Sequence, residues 1–279
     1  MSVSHFNLMA FDDLGTGGVV VLIHGFPFNR SMWREQIEFL SARDFRVVAP
    51  DLRGLGENVA QTSVCETSNA DHRLKSVPPA TMEDMARDVA ALMDRLTIDR
   101  ATICGLSMGC YVAFEFIHLF PARVHALVLC GPRAQGPDDA ERKSREAQAQ
   151  RVLAEGMQSA VASISTMLLA QKTLTEKPEV VTRVSDMVLN TDPRGAAAAQ
   201  RGMATRRDYS DELANITVPT LVVAGREDGV RKPEDAEFIH RSIHGSQLVT
   251  IDDAGHLMNM EQPQIFNRVL IGFFERLTR

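Results

Sequence analysis

The pentapeptide Gly105-Leu106-Ser107-Met108-Gly109 constrains this chain more than any other feature. It has the form G-x-S-x-G, a turn that lifts a serine off the end of a strand and onto the start of a helix. Residues 100–104 before it read as a short buried strand, and residues 110–117 after it read as a helix. The glycines let strand and helix pass closely while Ser107 holds a tight, strained backbone position. Set inside an alternating pattern of strands and helices, the turn points to an α/β domain.

That alternation runs along most of the chain. Residues 6–12 suit an outer strand. Residues 19–23 form an unbroken apolar run, as a strand buried on both faces of a parallel sheet reads. The run ends at His24-Gly25-Phe26-Pro27. A helix is expected over 32–40 with Ser31 as its N-cap, then a strand over 45–49 that enters the loop from Pro50 to Gly56. Residues 57–80 are polar and long for a connection, which suits a functional excursion or a mobile loop. A helix capped by Thr81 follows to about Leu96, with Met85, Val89, Leu92, Met93 and Leu96 as its apolar stripe. Residues 124–130 form another buried strand. No strand pattern is found over 137–205, which reads as several helices; ordinary crossover helices are the plainer alternative to a cap. The division expected is a core over 1–132, a helical cap over 133–212 and a core again over 213–279. The last strands fall at 220–224 and 247–251, with a helix over 233–243 between them. A terminal helix beginning near Gln262-Pro263 covers the sheet.

Composition narrows the class. The 279 residues suffice for one α/β domain, and 44% hydrophobic with 24% charged residues is ordinary for a soluble protein. A formal charge of −6 argues against nucleic acid as a partner, and no apolar stretch reaches membrane-span length. The N-terminal residues lack the features of a signal peptide, so a cytoplasmic protein is expected, monomeric or homodimeric. Cys65, Cys104, Cys110 and Cys130 fit neither a zinc site nor a disulfide framework; Cys110 reads as packing. No metal cluster and no nucleotide fingerprint is found, and serine chemistry needs no cofactor.

Serine alone is a weak nucleophile and needs a base that is itself oriented. In a parallel sheet the loops at the C-terminal ends of strands supply such groups. Three of these loops carry Ser107, Asp228 and His256, in the order expected with this turn. Glu227 is the rival acid, and Asp252 and Asp253 read as turn formers. The backbone N–H groups of Phe26 and Met108 are the expected oxyanion donors. His24, Trp33 and Met258 are candidate pocket residues, together with Met32, Arg53 and the Met-rich cap. Asp51 and Arg53 suit a local ion pair or loop clamp.

Together these motifs resemble the α/β-hydrolase superfamily over nearly the whole chain. His24-Gly25-Phe26-Pro27 resembles its oxyanion turn, Asp51 to Gly56 its D-x-R-G-x-G loop, and Gly255-His256 its histidine loop. The resemblance implies a mostly parallel sheet of about eight strands, with the cap after the sixth. Within the superfamily the chain is most similar to small bacterial carboxylesterases and 3-oxoadipate enol-lactonase-like proteins. That implies a serine hydrolase acting on a small-molecule ester, or alternatively a lactonase. A non-catalytic module that binds a small ligand is the remaining alternative.

Overall fold

Successive residues of each central strand face opposite sides of the sheet, and both sides are covered. In the computed structural model, which describes residues 9–58 and 79–277, Val21, Ile23, Ile103, Leu127 and Leu129 join one apolar cluster. Val20, Leu22, Cys104, Leu106, Val128 and Cys130 join the other. Burial on both faces explains why these segments read as unbroken apolar runs rather than alternating ones.

Seven strands form the sheet: β1 (Phe11–Leu14), β2 (Gly18–Ile23), β3 (Phe45–Pro50), β4 (Ala101–Leu106), β5 (Val124–Cys130), β6 (Thr220–Gly225) and β7 (Gln247–Ile251). Their spatial order is β1-β3-β2-β4-β5-β6-β7. β1 is antiparallel to β3, and every other pairing is parallel. The expectation of about eight strands is corrected to seven among the described residues. Among the described residues the helical insertion follows the fifth strand. Residues 6–8, where an outer strand was expected to begin, lie outside the described residues, as do Cys65 and most of the polar segment over 57–80.

One apolar cluster packs the sheet against α2 (Met82–Arg95), α3 (Met108–Leu119) and α9 (Pro233–Ser242). The other packs it against α1 (Arg34–Ser41) and α11 (Pro263–Leu277). The short α10 (Met258–Glu261) leads into α11. Thr81 caps α2 as expected, its Oγ1 accepting the Asp84 N–H at 3.0 Å. The entry to α1 differs from expectation. A 3-10 turn over Arg30–Trp33 precedes it, and Asn29 rather than Ser31 caps that turn, its Oδ1 accepting the Ser31 N–H at 3.0 Å. Ser31 lies inside that turn, so the residue that precedes the turn takes the cap.

Between β5 and β6 lie α4 (Asp139–Glu155), α5 (Gln158–Leu168), α6 (Gln171–Glu176), α7 (Pro178–Leu189) and α8 (Pro193–Ala204), with no strand among them. α8 seats this insertion on the core. A Cβ at Gly195 would fall onto the Gly54 carbonyl, and one at Gly202 onto the Ala80 carbonyl. Only glycine permits that approach. Among the described residues no helix is long and apolar enough to cross a membrane.

Candidate active site

The strand order reverses between β2 and β4, because β3 lies on one side of β2 and β4 on the other. Crevices at such points collect functional loops. Here the turn after β2 and the turn after β4 meet. Gly25 packs against the second turn so closely that a Cβ there would lie 3.5 Å from the Ser107 Cβ.

Ser107 has φ 55° and ψ −110°, a left-handed position for a residue with a side chain. Such strain persists only where neighbours over-determine it. The Ser107 N–H donates to the Cys130 carbonyl at 2.9 Å, and the Ser107 carbonyl accepts the Cys110 N–H at 2.9 Å. Gly105 and Gly109 close the elbow. A side chain on Gly105 would strike the Gly109 carbonyl, and one on Gly109 would strike the Ile23 carbonyl. Cys110 is buried, its Sγ 3.1 Å from the Gly105 carbonyl, and burial pushes its thiol far above the usual range. It packs and stays protonated.

Asp228 and His256 come from the loops after β6 and β7. His256 Nδ1 lies 2.7 Å from Asp228 Oδ2. A carboxylate only accepts, so Nδ1 donates its proton to Asp228, which in the neutral ring leaves the lone pair on Nε2. The other oxygen, Oδ1, accepts the N–H groups of Val230 and Arg231 at 2.8 Å each. Burial alone would raise the Asp228 carboxyl, but the His256 contact and these two N–H donors hold it below its ordinary value. The rival Glu227 faces outward and accepts the Gln171 N–H at 3.2 Å. His256 Nε2 is buried and has no hydrogen-bond partner among the described residues.

The histidine loop is bound to the insertion. The His256 N–H donates to the Leu168 carbonyl at 2.7 Å. Glu261, on α10, accepts the Gly255 N–H at 2.9 Å and the Ala170 N–H at 2.7 Å. Gly131 follows β5 with φ 55°, and a Cβ there would lie 2.8 Å from His256 Cε1.

Ser107, His256, Phe26 and Pro27 line one cavity of about 440 Å³. Val152, Met157, Ile164, Met167 and Leu168 supply an apolar wall from the insertion, and Arg145, Gln148 and Arg231 a polar one. The Phe26 and Met108 N–H groups have no protein acceptor among the described residues.

The three pocket candidates are corrected. His24, Trp33 and Met258 are fully buried and do not line the cavity. His24 is a clamp: its Nδ1–H donates to the Gly25 carbonyl at 2.9 Å, and its Nε2 accepts the Leu52 N–H at 2.9 Å. Trp33 packs on Phe266 with ring centroids 6.1 Å apart. Met32 and Arg53 are also outside the lining. Arg53 pairs with Asp88 at 2.7 Å rather than with Asp51, whose carboxylate pairs with Arg30. A Gly56 side chain would occupy the space of that Asp51 carboxylate. Arg145, Arg231 and Gly131 were missed. The spacing of Glu141 and Arg145 on one helix face was the available signal.

Residues 18–263 match the family described as alpha/beta hydrolase fold. The chain is 29% identical over 259 residues to 3-oxoadipate enol-lactonase 1 of Acinetobacter baylyi, covering 92% of this chain and 89% of that protein. A solved esterase from Thermogutta terrifontis, with malate bound, is 38% identical at a TM-score of 0.88, covering 96% of this chain and 93% of that one. A solved enol-lactonase from Burkholderia xenovorans is 26% identical at a TM-score of 0.82, with 96% of each chain covered.

Proposed function

The chain belongs to the α/β-hydrolase fold family, and on that premise we propose that it is a serine hydrolase cleaving a carboxylic ester through an acyl-enzyme. One observation carries the reading. The Asp228–His256 contact leaves a buried, unpartnered Nε2 in the same cavity as Ser107. Nε2 takes the Ser107 proton as Oγ attacks the acyl carbon, and Asp228 stabilises the imidazolium. The Phe26 and Met108 N–H groups receive the developing oxyanion. His256 protonates the leaving alcohol, and water then releases the acid by the reverse route. Residues 133–212 act as a cap whose apolar side chains hold the carbon chain of the substrate.

A lactone is the second reading, supported by similarity to two enol-lactonases. The alcohol then stays tethered to the acyl group, and ring opening needs the same residues. A panel of matched acyclic esters, lactones and thioesters, run beside Ser107→Ala, tests both. The expected result is hydrolysis that falls by at least about a thousandfold in Ser107→Ala while the fold is kept. Retained hydrolysis in that variant sinks the mechanism. A preference for lactones over matched open esters selects the second reading. Negligible turnover by folded parent protein favours a binding role.

A further inference from the structure

The polar wall of the cavity holds more positive charge than the protein neutralises. Arg145, on α4, donates to Glu141 Oε1 at 2.7 and 2.9 Å, and to Gln200 Oε1 at 2.9 Å. Arg206 grips the same carboxylate at 2.8 and 3.0 Å, and Arg133 reaches it at 3.4 Å. Arg231 stands alongside, its Nη2 donating to the Tyr111 hydroxyl. The Tyr111 ring lies between two guanidinium groups, with the Arg206 carbon 4.5 Å and the Arg231 carbon 5.8 Å from its centroid.

Three guanidinium groups, those of Arg133, Arg145 and Arg206, thus share the Glu141 carboxylate, and the side chain of the fourth, Arg231, bonds no carboxylate among the described residues. The neighbouring acids make no hydrogen bond to these guanidinium groups among the described residues: Asp228 holds His256, and Asp208, although it also attracts Arg206, accepts the Ser210 N–H at 2.8 Å. The Arg206 side chain is only 2% exposed and that of Arg145 only 14%. The buried Nε atoms of Arg133, Arg206 and Arg231 have no partner among the described residues. Burying guanidinium charge without an acceptor is costly. Such a cluster makes physical sense where an anion arrives from outside.

Arg145 and Arg231 line the cavity that also holds Ser107 and His256. We infer that Arg231 and Arg145 form a carboxylate-binding subsite, and that the substrate is a compact ester carrying a second, ionised carboxyl group. The inference rests on the hydrolase reading in that the anion is part of the substrate. Ser107 takes the ester carbonyl, the wall of Val152, Met157 and Ile164 takes the carbon chain, and the arginines take the free carboxylate. A planar guanidinium matches a carboxylate with two parallel N–H donors. Burial also pulls the Arg145 guanidinium below its ordinary value, and a substrate anion opposes that. Arg231 dominates specificity, because its guanidinium bonds the Tyr111 hydroxyl and no carboxylate among the described residues.

Two measurements test this. The first is calorimetric binding of succinate to the folded Ser107→Ala protein, which needs no turnover. Succinate is expected to bind at least about tenfold more tightly than inorganic phosphate or neutral succinamide, and about tenfold more weakly after Arg231→Gln. The second compares monoethyl succinate with diethyl succinate. The parent should favour the half-ester by about tenfold in kcat/KM, and Arg231→Gln should abolish that ratio through KM rather than kcat. Arg231→Lys should lose part of the ratio, and Arg241→Gln, the same charge change on exposed α9, should keep it. Equal or better hydrolysis of the diester, a ratio unmoved by Arg231→Gln, or phosphate binding that matches succinate overturns the inference. Absence of Ser107-dependent hydrolysis with succinate still bound through Arg231 defeats the hydrolase reading and leaves the subsite standing.

Discussion

Gly131 sits directly beneath the His256 ring, where any side chain would meet Cε1 at 2.8 Å and Nδ1 at 3.0 Å. Its φ of 55° adds strain for a non-glycine residue. Gly131→Ala is therefore expected to displace the imidazole and lower kcat by tenfold or more, with a smaller change in KM. Paired kinetics and thermal melts check this; unchanged kcat in a folded variant refutes it. His24 bears on stability through pH. Its burial lowers the imidazole below the ordinary value of 6.5, even though Asp51 and the Gly25 carbonyl pull the other way. On acidification the unfolded chain takes up that proton first. The contribution is complete above pH 6.5 and is lost as pH falls toward the lower folded value, by at most about 1.4 kcal/mol per pH unit. Melting temperatures measured from pH 8 to pH 5 should fall less steeply in His24→Gln than in the parent; identical slopes would show that His24 contributes nothing.

At the scale of elements, α8 decides how the insertion sits. Gly202 carries the helix backbone onto the Ala80 carbonyl, while the Ala80 N–H donates to the Ala198 carbonyl at 3.0 Å. Alanine is the better helix former by about 1 kcal/mol, so propensity alone favours Gly202→Ala. The added methyl would have to push backbone, and overpacking of that kind costs about 1–3 kcal/mol. Net destabilisation in urea is the expected result, and a stabilised variant would show that helix and loop separate freely. Elements differ in how far their sequences disclose them. β2, β4 and β5 were readable because both faces are covered, which leaves only Thr102 in β4 and the exposed His125 near the start of β5 to interrupt the apolar runs. The elbow was readable because Gly105 and Gly109 are both required at fixed spacing. α4 was misleading at the cavity. Its Glu141, Arg145 and Gln148 look like an ordinary solvated face, yet that face lines the site. His24, Trp33 and Met258 misled in the opposite sense, since proximity in sequence to functional loops does not say which way a side chain turns.

Across the whole molecule, sheet loops and insertion are joined at His256, and Glu261 is the joint. One oxygen holds Gly255 beside His256, and the other holds Ala170 at the end of the segment that follows α5. Burial raises the Glu261 carboxyl above its ordinary value of 4.5, and the N–H groups of Ala170 and Gly255 only partly offset this. A raised carboxyl means that the folded state binds the proton more readily than the unfolded one. Ionised Glu261 therefore opposes folding: the penalty is complete above the raised folded value, fades as pH falls through it, and is gone below 4.5. Glu261→Gln removes the buried charge but turns an N–H donor toward one of the two backbone donors. The gain in solvation and the loss of an acceptor are each about 1–3 kcal/mol and oppose each other. Stability should change little, while the histidine loop or the insertion loses its tether. The expected result is a kcat loss of about tenfold at a nearly unchanged urea midpoint. If activity falls only in proportion to the fraction unfolded, Glu261 is an ordinary packing group and the two halves of the site are not coupled through it.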